Sequence, residues 1–303
     1  MTALPAITAW AGRIPDLFRR WEVVAEPDRD EPEWWAGAPS VVRDKKGVFW
    51  MAIRMRTAEG ELGKRGYEIR ILRSDDGIHF IKVHSLRREQ IPITGFERPA
   101  LLIDPHTGKF KLYACGPLTG DWCVFKFADA DSPEHFDPAT VRPVIESIPS
   151  QPQGVPYPTA YKDPFILYAE GAYHCYVIGV LRSERIFHFT SEDGESWQPA
   201  GHPSESLLPL AGWHLFVYEG SSVQWNDPVY NIATGLGFTF DLHHVIDLTP
   251  DAPLLVSPTP GRLHVWRYSH WLWVEDEVWV YAEVEKPNGA HETRLYRIPV
   301  APR

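Results

Sequence analysis

Gly37-Ala38-Pro39-Ser40-Val41-Val42 sets small and imino residues directly ahead of an apolar run, and the arrangement returns along the chain. Glu97-Arg98-Pro99-Ala100-Leu101-Leu102, Lys162-Asp163-Pro164-Phe165-Ile166-Leu167 and Glu219-Gly220-Ser221-Ser222-Val223 each place a charged residue and a small or imino residue before apolar ones. Arg267-Tyr268-Ser269-His270-Trp271-Leu272-Trp273 is a looser fifth copy. The starts lie roughly 45 to 65 residues apart, the period of a propeller blade rather than of a helical solenoid. A short loop and a second apolar run follow, as at residues 109–114, 172–177 and 277–282. Aromatic and β-branched residues alternating around Gly or Asp-Gly turns read as antiparallel hairpins.

Composition points the same way. With 13 Trp, 12 Tyr, 14 Phe, 28 Pro and 22 Gly, the chain favours strands and turns over long helices. The expected fold is all-β, with antiparallel strands repeating at the period of a propeller blade. No linker, charge block or low-complexity segment divides residues 1–303, so one domain is expected, with residues 1–30 packing on it as a strap or short helix. A net charge of −10 without a basic cluster argues against a nucleic-acid partner, because phosphate neutralisation needs a concentrated cationic face. No apolar run reaches the roughly 18 residues of a membrane span, and residues 1–21 lack the pattern of a secretory leader. Cys115, Cys123 and Cys175 have no metal-site spacing and suit a reducing cytoplasm. The oligomeric state is not legible.

A second repeat marks strand ends. Arg73-Ser74-Asp75-Asp76-Gly77-Ile78-His79-Phe80 matches Thr190-Ser191-Glu192-Asp193-Gly194-Glu195-Ser196-Trp197. In this device Asp accepts local backbone N–H groups and Gly takes positive φ. Asp75, Asp76 and Asp193 are therefore read as structural, since the further ligands of a calcium loop are missing. Asp104 and Asp227, each followed by Pro, are read as turn residues.

From about Trp34 to Ile298 the five blade starts resemble the innermost strands of the five-bladed propeller glycosidases, most nearly glycoside hydrolase family 43, with the invertase-like and mannoside phosphorylase families behind it. That resemblance implies a five-bladed propeller of antiparallel strands with three carboxylates in its central funnel: a general base from blade one, a pKa-modulating Asp from blade three and a general acid Glu from blade four. Asp163 matches the second and Glu219 the third, while the base position holds Ala38. An inverting glycosidase needs one carboxylate to protonate the leaving oxygen and another to activate water, so this departure bears directly on hydrolysis. Burial beside a second carboxylate would raise the Glu219 pKa and suit it to act as the acid.

Glu97 is the leading substitute for the missing base, with Glu33 behind it. Arg98, Lys162 and Arg267 are candidates to hold an anion or a phosphate nucleophile, and Tyr268 and His270 head the fifth inner strand. Among Trp34, Trp35, Trp213, Trp225, Trp266 and Trp271, the choices for stacking on a sugar are Trp35 and Trp213, which precede the strands expected to carry catalytic residues. No metal or cofactor is expected, for no histidine pair has metal-ligand spacing and there is no nucleophile elbow, phosphate loop or dinucleotide fingerprint.

The expected function is carbohydrate-active chemistry of the glycosidase type on a small sugar or glycoside, hydrolytic or phosphorolytic, using Glu219 as acid, Asp163 as its modulator and Glu97 or phosphate as partner. Elimination, cyclisation or rearrangement of a non-sugar molecule is one alternative. A sugar-binding pseudoenzyme is the other, because chemistry resides in the site rather than in the fold.

Overall fold

Four hydrogen-bonded sheets build the chain, whose computed structural model describes residues 18–57, 65–146, 160–181, 183–201, 206–210, 213–220, 233–251, 253, 255–256 and 265–299. After β1 (Glu22–Ala25) comes an antiparallel meander of β2 (Trp34–Arg43), β3 (Phe49–Thr57), β4 (Arg65–Ser74) and β5 (Ile81–Arg87). The next contains β6 (Ala100–Ile103), β7 (Phe110–Gly116), β8 (Cys123–Lys126) and β9 (Arg142–Ile145). It is followed by β10 (Tyr161–Ala169), β11 (Ala172–Leu181), β12 (Ser183–Ser191) and β13 (Gln198–Gly201). A further sheet holds β14 (Ser206–Leu210), β15 (Trp213–Gly220), β16 (Ala233–Thr239) and β17 (Ile246–Asp247), with β18 (Leu255–Val256) also on β16. The last meander is β19 (Trp266–Val274), β20 (Glu277–Glu285) and β21 (His291–Pro299). β21 carries β1 and meets β2 in one parallel pairing, Trp35 with His291, which joins the first and last meanders into an eight-stranded sheet.

Side-chain alternation explains how the sheets stack. Along β7, Phe110, Leu112 and Ala114 enter a core shared with β3–β5, while Tyr113 enters a core shared with β10–β12. A strand buried on both faces needs apolar residues at successive positions, and β7 is buried throughout. Further cores lie between β10–β11 and β15, between β15–β16 and β19–β21, and between β19–β21 and β1–β4. The first strands are neighbours: β2 packs on β6 and β19, β6 on β10, and β14 on β19. Their heads therefore lie together, where the repeated motifs were expected to meet.

Three heads share one backbone device. β2, β10 and β19 slip register between Gly37 and Ser40, Lys162 and Phe165, and Arg267 and His270. Inside the slips, Ala38, Asp163 and Tyr268 have φ of +51°, +54° and +53°. Such a bulge turns one N–H away from the ladder and re-aims a side chain, at a conformational cost that non-glycine residues bear only where the surroundings enforce it. The fourth copy is different. Glu219-Gly220 closes β15 instead of leading a first strand, and the first strand of that sheet is β14, whose short Pro-containing sequence gave little signal.

The turn reading holds. Ser74 Oγ accepts the Gly77 N–H at 2.9 Å, and Asp76 Oδ1 accepts those of Ile78 and His79 at 2.8 Å. Asp193 does the same for Glu195 and Ser196, and Asp104 for His106 and Thr107. A third copy, Thr239-Phe240-Asp241-Leu242-His243-His244, escaped the pattern because Leu242 stands at the glycine position, at φ +63°. The three cysteines are buried free thiols. Among the described residues no helix is long and apolar enough to cross a membrane. Most of the expected N-terminal strap (residues 1–17), Trp225, Asp227 and Ser221-Ser222-Val223 lie outside the described residues.

Candidate active site

A cavity of about 270 Å³ opens at the heads of β2, β10 and β19 beside the segment leading into β6. Trp35, Glu97, Lys162, Asp163, Arg267 and Tyr268, all singled out in the sequence, line it. Arg56 and Arg65, which were not, complete the lining. A larger cleft of about 430 Å³ beside β1, lined by Glu26, Arg70, Phe80 and Lys82 among others, contains none of the expected site residues.

Asp163 is the carboxylate least engaged by cations. It accepts the Arg98 N–H at 3.3 Å and the Tyr268 hydroxyl at 3.4 Å, both long contacts, and its own N–H donates to Cys115 Sγ at 3.1 Å. Lone pairs are thus left for a ligand.

Glu97 is held very differently. Arg54 Nη1 contacts its Oε2, while Arg65 and Arg56 approach Oε1 at 3.0 and 3.5 Å. A carboxylate wrapped by three guanidiniums has little capacity to take a proton from water, which counts against Glu97 as the replacement base. Glu33 is not among the lining residues.

Another carboxylate lies beside Ala38. Glu283 of β20, fully buried, accepts the Ala38 N–H at 2.9 Å. A Cβ on Gly37 would fall 2.0 Å from Glu283 Oε2, so only glycine fits there. Arg267 donates to Glu283 Oε1 from Nε at 3.1 Å and Nη2 at 2.8 Å, with His291 Nδ1 at 2.7 Å and Arg54 Nη2 3.4 Å from Oε2. Burial alone would raise the Glu283 pKa, but Arg267, His291 and Arg54 hold the carboxyl well below the usual range. It is a fixed anion beneath the cavity rather than a proton acceptor.

Glu219 does not line the cavity. Its carboxylate accepts the Tyr268 N–H at 2.5 Å, the Ser269 N–H at 2.8 Å and the Ser269 hydroxyl at 2.6 Å. Burial raises its pKa, against the opposing pull of Arg98 and of these donors. Arg98 lies behind the site, with Nη2 donating to the Ser269 carbonyl at 3.3 Å and its guanidinium facing Phe165 and Tyr268.

The remaining expectations divide. His270 is outside the lining, and burial and then Arg98 push its pKa down to about 3, so it is a neutral ring beside Phe165. Trp213 opens β15 at the end opposite Glu219, roughly 20 Å away at 3.3 Å per residue, where it packs on Phe238 and the core shared with β19–β21. It preceded Glu219 in sequence, but a strand separates the two. Trp35 is at the cavity, yet its ring already stacks on His291 at 4.5 Å and carries the Arg56 guanidinium at 4.3 Å. That leaves it poorly exposed for stacking on a sugar.

The missed residues had one signal: charge inside a buried strand. Arg54 and Arg56 alternate on β3, Glu283 interrupts the apolar run of β20, and His291 opens β21 as a buried residue. Buried charges are rare unless paired, so such positions point at one another. Among the described residues no His, Cys, Asp or Glu cluster is arranged to hold a metal ion.

No protein-family model matches the chain, and no curated protein does. Solved structures do match in fold. A glycoside hydrolase superposes with a TM-score of 0.69 at 12% identity, covering 97% of each chain. A β-xylosidase gives 0.64 at 10% identity, covering 94% of this chain and 97% of the other. A family-43 enzyme from Xanthomonas citri, complexed with xylotriose, gives 0.61 at 12% identity, covering 96% and 93%. At such identities the likeness is one of fold: an all-β, strand-rich architecture of the kind found in family-43 glycoside hydrolases.

Proposed function

We propose that the chain is a five-bladed propeller carrying a carbohydrate-active site of the glycosidase type, with Asp163 as the proton-transferring carboxylate. Five blades are supported by the apolar cores, one between each pair of consecutive meanders and one between the last and the first. The observation that carries the enzymatic reading is Asp163 itself, set on a positive-φ bulge at the cavity, with weak partners only. From there it can protonate the leaving oxygen of a glycoside, and the Tyr268 hydroxyl steadies it once ionised.

The other carboxylates have supporting parts. Glu219 grips the backbone of Tyr268 and Ser269 and so fixes the tyrosine beside Asp163, acting as a positioning residue. Glu97 and Glu283 neutralise guanidiniums. With no second lightly held carboxylate among the described lining residues, the attacking group is water or phosphate without a strong protein base, and turnover is slow compared with a two-carboxylate enzyme. The guanidinium engagement of Glu97 and Glu283 also favours a second reading, a sugar-binding protein without turnover.

Asp163→Asn separates the two. Aryl glycosides are assayed with and without phosphate, and sugar binding is measured by calorimetry. The enzymatic reading expects turnover by wild type, loss of at least 100-fold in Asp163→Asn on the scale of general acid catalysis, and retained binding. Sugar binding with no wild-type turnover across the panel establishes the second reading.

A further inference from the structure

The chain carries a net charge of −10, yet its central cavity is cationic. Among the described residues, Arg56, Arg65, Lys162 and Arg267 line it together with the carboxylates of Glu97 and Asp163. Beneath it, Arg54 and Glu283 add one charge of each sign, both fully buried. Glu97 is therefore shared by Arg54, Arg56 and Arg65, while Glu283 is shared by Arg267, Arg54 and His291. Among the described residues positive charge exceeds negative at a site with restricted access to water, where such an imbalance favours an anionic occupant.

The excess is localised on the hairpin of β3 and β4. Thr57 pairs with Arg65 and Arg56 with Gly66, so both guanidiniums project from one hairpin end. Gly66 allows this placement, because a Cβ there would lie 2.5 Å from the Phe96 carbonyl oxygen that the Gly66 N–H bonds at 3.1 Å. Arg56 is the less satisfied of the two. Its nearest carboxylate oxygen is 3.5 Å away, its Nε has no hydrogen-bond partner, and its guanidinium rests on Trp35. Burial, then the like charges of Arg54 and Arg267, push its pKa down to about 9. Arg65 has 44% of its side-chain surface exposed and reaches Glu97 at 3.0 Å, leaving donors at the opening. Guanidiniums prefer planar oxyanions, which they bind through paired N–H donors.

We infer that the cavity takes an acidic sugar, whose carboxylate or phosphate is received by Arg56 and Arg65 while its ring lies toward Asp163. This rests on the carbohydrate-active reading above and specifies the substrate class of the same site. A neutral sugar would leave the guanidinium excess uncompensated, whereas an oxyanion completes the charge balance. It also assigns specificity to two residues on β3 and β4, away from the repeated first-strand motifs.

The test is calorimetric binding of glucuronate, glucose, glucose 6-phosphate and inorganic phosphate to wild type, Arg56→Gln and Arg65→Gln at low and at 0.5 M salt. Arg65→Gln is the safer variant for folding, because Arg65 is partly exposed. The inference expects glucuronate or glucose 6-phosphate to bind at least tenfold more tightly than glucose, with the advantage lost in both variants and reduced by salt. A preference for glucuronate identifies a uronate carboxylate, and one for glucose 6-phosphate identifies a phosphate. Equal binding of glucose and the acidic sugars, unaffected by Arg65→Gln, overturns the inference and leaves the carbohydrate reading standing. Binding of inorganic phosphate with no contribution from any sugar overturns the acidic-sugar assignment and the carbohydrate reading together.

Discussion

The backbone N–H of Ala38 donates to the side chain of Glu283 at 2.9 Å, across the join between the first and last meanders. The same relation recurs at the other two bulges. The Tyr268 N–H donates to Glu219 at 2.5 Å, and the Asp163 N–H to Cys115 Sγ at 3.1 Å. Each acceptor stands near the end of the second strand in the preceding meander: Glu283 on β20, Glu219 on β15 and Cys115 on β7. A bulge frees an N–H that a buried site cannot leave unpaired, and the neighbouring sheet supplies its acceptor. Glu219 and Glu283 thus occupy comparable positions, each accepting the N–H of a bulge on the next first strand.

Placing an acid at position 38 is expected to destabilise the protein. Asp tolerates positive φ, but in Ala38→Asp it would be a second carboxylate beside the buried Glu283. Glu283→Gln alone removes the buried anion that Arg267 and Arg54 share, a loss of about 3–5 kcal/mol. In the double variant the new carboxylate partly replaces the old. Thermal unfolding of the four proteins should therefore give a coupling of about 0.5–3 kcal/mol, with the pair less damaging than the sum. Strict additivity would show that the two sites do not share charge.

Gly66→Ala tests the close approach that carries Arg65 to Glu97. The added methyl would meet the Phe96 carbonyl oxygen at 2.5 Å and Arg54 Cγ at 2.9 Å, and the first is backbone that cannot rotate aside. A loss of about 1–3 kcal/mol is expected from this overpacking. Chemical denaturation measures it, and an unchanged midpoint would mean that β4 has room to move.

Glu219→Gln should reveal itself through pH. Burial raises the Glu219 pKa in the folded chain, so the folded state keeps this proton to higher pH than the unfolded state, where the ordinary value is 4.5. The contribution is full below 4.5 and is lost as pH rises through the folded value. Wild type should therefore gain stability relative to Glu219→Gln on going from pH 7 to pH 4. A melting-temperature difference that does not change with pH removes burial as the dominant influence.

What the sequence made legible was local. Asp76, Asp104 and Asp193 were readable as turn residues because their partners lie two or three residues away. Lys162-Asp163-Pro164 and Arg267-Tyr268 were found because the first-strand heads repeat. Glu283 was not, since two of its partners, Arg54 and Ala38, are 229 and 245 residues distant, and nothing local marks Arg267 or His291 as the others. Glu219 matched a pattern at the wrong strand, because a charged residue and a glycine can close one strand as readily as introduce another. Arg54 and Arg56 were missed as well, because only the packing of β2 against β6 and β19 shows which carboxylates they meet.

Acid should weaken the interface between β11–β12 and the turn after β16. His188, almost fully buried, stacks on Tyr176 at 4.5 Å and meets His174 through a 2.9 Å ring-nitrogen contact, with His243 at 5.0 Å. Burial, then the neighbouring His174 and His243, push its pKa from 6.5 to about 3, and His174 is pushed down as well. The unfolded chain takes up these protons first. Stability is full above pH 6.5 and is lost as pH falls toward 3. His188→Gln cannot take the proton, so its stability should fall less steeply between pH 6.5 and 4, even if it starts lower at pH 8. Parallel curves for the two proteins would assign the acid sensitivity to other groups.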